Sequence, residues 1–498
     1  MKDTIAAFKK HLSKLGAYEH AMSKLYNDSV TVMPPKGSEV VGNAMGVLSE
    51  EEYKLATSSE LRDMIETILA HKDEVDLITL REAEEKHEEL CKLEKIPMDE
   101  YVQHQIDVNA ASAAWHEAKA TNDFELFRPH LEKMVAFNRK MAHYYAPDKP
   151  AYDTLLNEYE KGLTMETLDK FFADVRKKVV PLLNDIVARG RRIDTDFLDK
   201  EYPVDKQRIL TDRLMKIMCM DPQRSCIGET EHPYTINFTK NDVRIMTHYH
   251  SDMLLSSFYS VVHEAGHATY ELNIGDELTD SFLGSGVSMG VHESQSRLYE
   301  NIIGRSEEFM SVVYDDLKEL FPEQLKDVTR EQLFLAANKV EPSLIRTEAD
   351  ELTYPLHIMV RYELEKQLIS GTLEVKDLPK AWNEMMKEYL GVDVPSDTEG
   401  VLQDSHWSGG MFGYFPSYAI GSAYGAQMIA AMKQDFDVME QVKSGELQPI
   451  IDWLTERIYR FGCIKKPKEL VENACKAEFD PKYYTDYLSE KFTKIYQL

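Results

Sequence analysis

Apolar side chains recur at intervals of three and four residues along most of the chain, in segments rich in Ala, Leu, Glu and Lys. This spacing places the apolar side chains on one face of a helix, so it predicts a mainly α-helical protein. Pro181 and Pro355 lie inside two of these segments, and proline removes a backbone donor, so we expect kinks or breaks there. The predicted helices cover residues 3–27, 49–71, 75–95, 98–144, 164–190, 204–220, 250–273, 287–317, 330–340, 343–371, 377–390, 420–435, 446–461 and 467–476.

A short stretch before residue 250 follows a different pattern. Side chains alternate from His232 to Phe238, Lys240–Asp242 are typical of a turn, and Val243–Thr247 form a second short run. Alternation predicts strands, so we expect a small hairpin just before the helix predicted at 250–273. Its edge strand could bind an extended peptide through main-chain hydrogen bonds.

The composition is that of an acidic globular protein of 498 residues. With 86 acidic and 58 basic residues the formal net charge is −28, so we expect neither nucleic acid nor an anionic membrane as a partner. No run of about 18 apolar residues occurs, and the N-terminus lacks the apolar core of a secretory signal. The five cysteines are odd in number and not paired as C-x-x-C, which favours a reducing, cytoplasmic location and buried, apolar roles for these side chains.

The segment from His263 to His267 reads His-Glu-Ala-Gly-His, an H-E-x-x-H motif within a predicted helix. Residues four apart lie on one helical face, so the two histidines can bind one metal ion while Glu264 reaches a water molecule on it. This arrangement is typical of zinc-assisted amide hydrolysis. The metzincin pattern requires glycine and histidine where Tyr270 and Asn273 stand, so that class is excluded.

A catalytic zinc ion takes three protein ligands and leaves one position for water. The Gly-rich break at Gly284–Gly286 would let the chain turn back, so that the next helix lies against the first. Glu293, about one turn into that helix, is the best-placed third ligand, and Glu300 and His292 are the alternatives. Spacing alone favours Glu293 only weakly over its neighbours.

Six short segments between residues 232 and 407 match, in order, the motifs of one peptidase family. They are His232-Pro233-Tyr234, Asp242-Val243-Arg244-Ile245-Met246, His263-Glu264-Ala265-Gly266-His267, His292-Glu293-Ser294-Gln295, Ile345-Arg346-Thr347-Glu348-Ala349-Asp350 and Gly400-Val401-Leu402-Gln403-Asp404-Ser405-His406-Trp407. On these motifs, and on its length and helical character, the chain resembles the carboxypeptidase Taq family of zinc-dependent metallocarboxypeptidases. Tyr234 replaces the usual Phe and keeps the ring, whereas Met246 stands where the family has Thr and lacks its hydroxyl.

The resemblance implies a mainly α-helical zinc-peptidase fold with a long substrate groove and a small β-sheet beside the active-site helix. Residues 1–498 would form a single metallocarboxypeptidase unit. Within it, residues 1–200 would form one wall of the groove, and residues 201–498 would carry the zinc site.

The resemblance also implies one Zn²⁺ per chain, held by His263, His267 and Glu293, at a centre where Co²⁺ can replace zinc. Glu264 would take a proton from water and pass it to the departing amine. The implied activity is removal of the C-terminal residue from peptides by a homodimer, with broad specificity for the side chain removed.

Recognition of a peptide C-terminus needs a cation for its carboxylate, and arginine can bind a carboxylate through two parallel hydrogen bonds. Arg346, in a segment similar to the family's Ile-Arg-x-x-Ala-Asp motif, is our candidate, although the acidic residues around it could simply pair with it. Arg244 is the rival substrate-binding residue. Its alternative role is to orient an acidic partner, Asp242 or Asp350.

Hydrolysis also needs a donor for the oxyanion, on the side opposite Glu264. The run from His406 to Tyr418 contains a histidine, a Gly-rich turn and two tyrosines. Tyr418 is our candidate catalytic donor, supported by His406 as a second catalytic residue and by Tyr414 as a substrate contact. Aromatic residues at this spacing also suit core packing. His232 is a further candidate for substrate binding, unless it only ends the strand.

A hydrogen bond from the second ring nitrogen usually fixes the tautomer of a metal-binding histidine. Glu271, one turn beyond His267, is a candidate acceptor for that bond. Arg297, four residues after Glu293, cannot accept a proton. The sequence therefore leaves the outer partners of the metal ligands open.

Two other functions remain possible from the sequence. An oligopeptidase or dipeptidyl carboxypeptidase would share the zinc site and differ only in where the carboxylate-binding cation lies along the groove. An inactive, helical peptide-binding scaffold would use the two histidines structurally, but a structural zinc site is normally closed by four ligands that include cysteine, and no cysteine lies near the motif.

Overall fold

Twenty α-helices and three β-strands make up the chain, and this computed structural model describes residues 1–498. The helices are α1 (Lys2–Thr31), α2 (Ser38–Ala56), α3 (Ser59–Ala70), α4 (Leu77–Lys95), α5 (Met98–Thr121), α6 (Phe124–Tyr145), α7 (Ala151–Tyr159), α8 (Met165–Arg189), α9 (Val204–Ile217), α10 (Leu254–Leu272), α11 (Met289–Arg297), α12 (Glu307–Leu320), α13 (Arg330–Ala337), α14 (Tyr354–Ser370), α15 (Leu378–Leu390), α16 (Pro416–Met432), α17 (Val438–Lys443), α18 (Gln448–Arg457), α19 (Pro467–Cys475) and α20 (Lys482–Tyr496). The strands are β1 (Ser225–Glu229), β2 (Tyr234–Thr239) and β3 (Asp242–Thr247).

The mainly α-helical fold predicted from the spacing of apolar residues is confirmed. The differences concern where helices begin and end, and three helices that were not predicted. The segment 98–144 forms two helices instead of one. Asn122 takes a left-handed backbone conformation with φ 54°, which ends α5. The side chain of Asp123 then accepts a backbone N–H and caps α6.

Neither of the two prolines splits a helix. Pro355 lies in the first turn of α14, where its missing N–H would have no partner within the helix, so the helix starts there and residues 343–353 are not α-helical. Pro181 lies inside α8, which continues through it without a break. Helices α7, α17 and α20 are additional to those predicted.

A π-helix, Leu298–Gly304, interrupts the segment predicted as one helix at 287–317. It continues directly from α11 and is followed by α12. π-Helical turns are rare and occur frequently at functional sites, because the wider turn changes the direction of its side chains. Glu300, one of the three candidates for the third metal ligand, belongs to this turn.

The predicted hairpin is confirmed as β2 and β3, which pair antiparallel with Tyr234 opposite Met246. A third strand, β1, was not predicted. It pairs with β3 in parallel, so the strand order is β1-β3-β2. β2 is therefore an edge strand, and one side of its main chain has no neighbouring strand. Helix α10 packs against β2 and β3.

The side chain of Met246, where the related family has Thr, fills space above a glycine. Met246 of β3 is buried, and it lies beside Gly228 of the neighbouring strand β1. A Cβ atom added to Gly228 would lie 2.9 Å from the Met246 sulfur, closer than two such atoms can approach. A side chain at position 228 would therefore require the methionine side chain to shift.

The main hydrophobic core contains 105 buried residues and extends across residue 200. Phe172 of α8, for example, stacks on Tyr362 of α14 with ring centres 4.9 Å apart. A second core of eight buried residues lies among α1, α3 and α4. Helix α1 contacts the sheet, where the Tyr234 hydroxyl donates to Asn27 at 3.0 Å.

The expectation that all five cysteines are buried is wrong for two of them. Cys219 and Cys226 are exposed, because Cys219 follows the end of α9 in a left-handed conformation and Cys226 lies on the outer face of β1. The other three cysteines are partly buried. No helix combines the length and the apolar character needed to cross a bilayer.

Candidate metal centre

Close packing of α10, α11 and α16 brings the candidate site together, and two glycines allow it. A Cβ atom on Gly266, inside the H-E-x-x-H motif, would lie 2.8 Å from both the Gln295 carbonyl oxygen and the Ser296 Cα. On the other side of α11, a Cβ atom on Gly421 of α16 would lie 2.8 Å from the Cβ of Glu293. Larger side chains at either glycine would force the helices apart, so Glu293 is held between α10 and α16.

The side chains of His263, His267 and Glu293 converge, and one ligand atom from each lies within 4.8 Å of the others. Glu293 Oε2 is 3.7 Å from His263 Nε2 and 3.5 Å from His267 Nε2. Ligand atoms about 2.0–2.2 Å from one tetrahedral ion lie roughly 3.3–3.6 Å apart. Two imidazole nitrogens and one carboxylate oxygen at these separations therefore fit a divalent cation such as zinc.

The other two candidates for the third ligand contact the outer nitrogens of the same histidines. Glu300 Oε2 lies 2.8 Å from His263 Nδ1 and accepts its hydrogen. His292 Nδ1 lies 2.6 Å from His267 Nδ1. Both histidines of the motif therefore use Nδ1 for an outer hydrogen bond and direct Nε2 towards Glu293, the arrangement expected of metal ligands.

Glu271, a candidate acceptor for the outer hydrogen of His267, does not contact that histidine directly. Its Oε1 instead lies 2.7 Å from His292 Nε2, and His292 in turn contacts His267. The same oxygen accepts the Gly286 N–H at 3.0 Å and the Ser285 hydroxyl at 3.2 Å. The Glu271 carboxylate therefore binds donors of the Gly-rich turn and of His292 instead of His267, one turn away on its own helix.

Arg297 orients the carboxylate of Glu293. Its Nε donates to Glu293 Oε1 at 2.7 Å, and its guanidinium also reaches Glu300 Oε2 at 3.3 Å. Burial alone would raise the pKa of Glu293, but the charges of Arg297 and His263 outweigh burial and hold this pKa well below its usual range. Burial lowers the pKa of His267 to about 3, so this imidazole is neutral near pH 7.

Glu264 lies on the same side of α10 as the imidazoles and is only 6% exposed. Burial raises the pKa of its carboxyl, and the neighbouring His263 opposes that rise. The Thr235 hydroxyl of β2 lies 2.7 Å from Glu264 Oε2. A carboxylate with a raised pKa accepts a proton more readily, as a general base must.

A cavity of about 350 Å³ lies over these side chains, between β2 and the chain that leads into α16. Both candidate tyrosines line it. Four other predicted site residues, His232, Arg244, Arg346 and His406, do not. The lining consists of Pro233, Tyr234, Thr235, Asn237, His263, Glu264, His267, Glu271, Met289, His292, Glu293, Tyr414, Ser417 and Tyr418.

Arg346 lies behind Tyr418, with its guanidinium carbon 5.2 Å from the centre of that ring. Its Nε and Nη2 donate to Asp404 Oδ1 at 3.1 and 2.9 Å, and its Nη1 donates to the Tyr354 hydroxyl at 3.2 Å. Arg361 binds the other oxygen of Asp404. A guanidinium has five N–H groups, so these three bonds leave two for another acceptor. Arg346 is therefore ion-paired with an acidic residue, which was one of its two possible roles, and it still has two N–H groups that could bind a carboxylate.

Of the two acids that Arg244 could orient, the structure brings it to Asp242. Two hydrogen bonds of 2.8 and 3.0 Å join the side chains, and Lys24 of α1 pairs with the same carboxylate. The Arg244 guanidinium also lies over the Phe238 ring. Asp350 instead accepts backbone N–H groups at the start of α14. Arg244 thus holds Asp242, the residue that pairs with Lys24 of α1, and does not line the cavity.

His232 is exposed just before β2, whereas His406 is packed among aromatic rings. The ring of His406 lies 4.4 Å from that of Phe415 and 5.2 Å from that of Tyr414. Burial lowers the pKa of His406 to about 4, so this imidazole is neutral near pH 7. Burial raises the pKa of both Tyr414 and Tyr418, so their hydroxyls keep their protons and can donate hydrogen bonds.

Glu365 of α14, which no local sequence motif marks, holds the loop that contains Tyr414 and leads into α16, the helix of Tyr418. This fully buried carboxylate accepts hydrogen bonds from Trp407 Nε1 at 2.7 Å, the Gly413 N–H at 2.8 Å and the Tyr152 hydroxyl at 2.7 Å. Burial raises its pKa to about 7. No local pattern marks Glu365 because its donors come from distant parts of the chain.

Glu160, a second buried carboxylate, directly follows α7 and contacts the first turn of α11. Its Oε2 accepts the Gly290 N–H at 2.9 Å, and the side-chain hydroxyls of Ser288 and Tyr424 lie beside the same carboxyl group. Burial raises its pKa to about 7. The unfolded carboxyl titrates at about 4.3, so between these values the folded protein holds a proton that the unfolded chain has released. Glu160 therefore destabilises the fold increasingly as the pH rises through this window, and its contribution is constant above it.

We expect Glu160→Gln to be as stable as the wild type at about pH 4 and more stable above about pH 7, by at most about 4 kcal/mol. The amide oxygen can replace Oε2 as the acceptor for the Gly290 N–H, and the amide carries no charge to bury. Denaturant unfolding of both proteins, measured between about pH 4 and about pH 8, checks the prediction. A stability difference that does not change across this range would contradict the raised pKa.

Comparisons with known proteins agree with this geometry. The profile of the carboxypeptidase Taq (M32) metallopeptidase family matches residues 7–492. The chain is 38% identical over 490 residues to carboxypeptidase 1 of Bacillus subtilis (strain 168), which covers 98% of this chain and 97% of that protein. It is 34% identical over 502 residues to thermostable carboxypeptidase 1 of Pyrococcus furiosus, covering 98% of each. The crystal structure of the M32 carboxypeptidase from Deinococcus radiodurans R1 matches with a TM-score of 0.95 and 32% identity over 100% of both chains. The chain therefore belongs to the carboxypeptidase Taq (M32) family and is a metal-dependent carboxypeptidase.

Proposed function

We propose that the protein is a zinc carboxypeptidase that removes single residues from peptide C-termini, with Zn²⁺ held by His263, His267 and Glu293. One observation carries the proposal: two imidazole nitrogens and a carboxylate oxygen converge beside Glu264, a second carboxylate whose raised pKa suits proton transfer. Three protein ligands without cysteine are typical of catalytic zinc. The same nitrogen and oxygen ligands also tolerate Co²⁺, so we propose that cobalt can replace zinc.

Bound zinc would polarise the scissile carbonyl and lower the pKa of a water molecule to about 7. Glu264 would take a proton from the attacking water molecule as the water oxygen adds to the carbonyl carbon. It then transfers this proton to the departing amine, which leaves as the free C-terminal residue. Burial supports both steps, because it raises the proton affinity of Glu264 and keeps other water molecules away.

Tyr418 is the proposed donor to the oxyanion that forms during attack, with Tyr414 beside it as a contact to the substrate. Both line the cavity opposite β2 and remain protonated near pH 7. We assign His406, predicted as a catalytic residue, a supporting role through its packing against Tyr414. A hydroxyl donor beside the oxyanion stabilises the negative charge that develops there.

The peptide would lie along the free edge of β2, and its C-terminal carboxylate would be bound by the two remaining N–H groups of Arg346. This binding requires Tyr418 to admit the carboxylate, because that ring lies between the arginine and the cavity. Arg244 and His232, the other predicted substrate contacts, lie outside the cavity lining. We therefore propose no direct contact to the cleaved residue from either side chain.

The products formed from a short peptide blocked at its N-terminus distinguish this proposal from its two rivals, an oligopeptidase or dipeptidyl carboxypeptidase and an inactive peptide-binding scaffold. We expect a ladder of products that differ by one C-terminal residue, complete loss of hydrolysis after chelation, and recovery on adding zinc or cobalt. Mass spectrometry of a time course measures all three. Release of dipeptides or internal cleavage would favour an oligopeptidase, and unchanged peptide with metal present would favour an inactive binding scaffold.

We further propose a cytoplasmic homodimer in which residues 1–200 form one wall of the substrate groove. The cysteine pattern supports the location, and the family resemblance supports the dimer. The contact of α1 with β2 supports the wall, since it places the first helix beside the edge strand. Light scattering of the purified protein tests the dimer, which requires twice the mass of one chain.

A further inference from the structure

Strand β2 directs two polar side chains, Thr235 and Asn237, into the cavity. Residues two apart on a strand face the same side, so these two lie next to each other along β2. Neither is part of the metal-binding set, and each hydrogen bonds to a different carboxylate of α10.

The Thr235 hydroxyl lies 2.7 Å from Glu264 Oε2 and 2.9 Å from the backbone oxygen of the same residue. A hydroxyl has one proton, and the charged carboxylate is the stronger acceptor. Threonine is branched at Cβ, so the strand backbone restricts where its oxygen can point. Thr235 therefore fixes the orientation of the carboxylate of Glu264.

Asn237 begins a chain of three hydrogen bonds. Its Nδ2 donates to Glu271 Oε2 at 2.8 Å. Glu271 Oε1 lies 2.7 Å from His292 Nε2, and His292 Nδ1 lies 2.6 Å from His267 Nδ1. The chain runs from the edge strand, through α10 and α11, to one of the two histidine ligands.

The charge of the Glu271 carboxylate determines which ring nitrogen of each histidine in this chain carries a proton. The Glu271 carboxylate only accepts, so His292 must carry its proton on Nε2. The lone pair of His292 is then on Nδ1, which accepts the Nδ1 proton of His267. This leaves the lone pair of His267 on Nε2, the atom that faces Glu293. Each bond therefore determines the next tautomer.

The second ligand provides a contrast within the same site. His263 is bound directly by Glu300 of the π-helix, with no residue of β2 in between. A change in β2 should consequently disturb His267 and leave the tautomer of His263 as it is.

From these contacts we infer that β2 is a positioning strand for the centre. Thr235 orients the general base Glu264, and Asn237, at the far end of the hydrogen-bond chain, helps to fix the metal-binding tautomer of His267. The inference rests on the proposed function of the site. It means that a peptide bound along β2 contacts the same strand that orders the base and one metal ligand.

The Thr235 arm is tested by a pair of variants. We expect Thr235→Val, which has the same shape without the hydroxyl, to lower kcat by about tenfold or more while KM and zinc affinity stay unchanged. Thr235→Ser should recover most of the loss because it restores the hydroxyl. Ile236→Val, on the opposite face of β2, is the control for general disturbance of the strand. Wild-type kcat in Thr235→Val, or an equal loss in Thr235→Ser, would overturn this arm.

The Asn237 arm is tested through metal affinity, measured on the apo protein by competition with a chromophoric zinc chelator. We expect His292→Phe to weaken zinc binding by about 10- to 100-fold, and Asn237→Leu to weaken it by a smaller factor in the same direction. Asn237→Ala, which cannot clash with its neighbours, provides the same test if the leucine variant does not fold. Zinc affinity equal to that of the wild type in a folded Asn237 variant would overturn this arm.

Failure of the inference and failure of the proposed function give different results. If the proposed function is wrong, the wild-type protein itself will lack zinc-dependent release of C-terminal residues. If only the inference is wrong, the wild type will be active, and the variants will match it in kcat and in zinc affinity. Because the chelator measurement does not use turnover, it tests the positioning of His267 independently of the reaction.

Discussion

Glu264→Gln is expected to abolish peptide hydrolysis while the metal stays bound. Glutamine has the shape of glutamate and can still accept the Thr235 hydrogen through its oxygen, but it cannot take a proton from water. Glu264 is not one of the three converging ligands, so the metal-binding atoms remain in place. Proton transfer by a positioned side chain contributes about 10²- to 10⁴-fold, and Glu264 acts both as base and as acid, so we expect kcat to fall at least about 10³-fold. Steady-state kinetics with quantification of bound zinc measures both quantities.

The control for this variant is Glu264→Asp, which keeps the carboxylate but withdraws it by about one methylene. We expect it to retain zinc and a small part of the activity, because a displacement of about 1 Å costs on the order of 10²-fold. Full activity in Glu264→Gln would refute the role of Glu264 as the general base.

The proximity of His263, Glu264 and His267 could be predicted from the sequence because all three lie within two turns of one helix. Their relative positions follow from helical periodicity alone, and tertiary structure is not needed to bring them together. The proposed third ligand, Glu293, is different. Glu293 and Glu300 are seven residues apart, about two helical turns, so both face α10. Packing at Gly266 and Gly421 brings Glu293 to the imidazoles, whereas Glu300 reaches the outer nitrogen of His263.

The outer hydrogen bonds could not be read from the sequence because their partners are far apart along the chain. Glu271 was predicted next to His267 by helical spacing, but the Gly-rich turn and His292 supply better donors for it. The carboxylate of Glu365 and its three donors come from α14, α7 and the loop before α16. In such cases spacing along one element gives no information, since the contact exists only after several elements have packed.

Two features of the secondary structure were not predicted, the break between α5 and α6 and the strand β1, and they were missed for different physical reasons. The break between α5 and α6 has a local signal, because Asn122 tolerates the left-handed conformation and Asp123 is a good N-cap. Strand β1, by contrast, has no local sequence signal that would have predicted it. This strand is defined by parallel pairing with β3, which lies beyond β2 in the sequence.

Removal of the Arg346 guanidinium is expected to erase the preference of the enzyme for a peptide with a free C-terminal carboxylate over the same peptide ending in an amide. Two charge-assisted hydrogen bonds to a carboxylate in a buried site are worth enough to change kcat/KM by about 100-fold or more. We expect Arg346→Met to lose about this factor on the free acid, mainly through KM, and to change little on the amide. Kinetics with the paired substrates measures the preference directly.

Two further variants separate substrate binding from the ion pair with Asp404. Arg346→Lys keeps the charge beside Asp404 but lacks the planar fork, so we expect a folded enzyme with a partial loss of acid preference. Arg244→Gln removes the other arginine predicted to bind substrate, and we expect it to keep the full preference, because Arg244 pairs with Asp242 outside the cavity. If Arg346→Met retains the preference for the free acid while Arg244→Gln loses it, the two arginines have the reverse roles, and Arg346 serves only to hold Asp404.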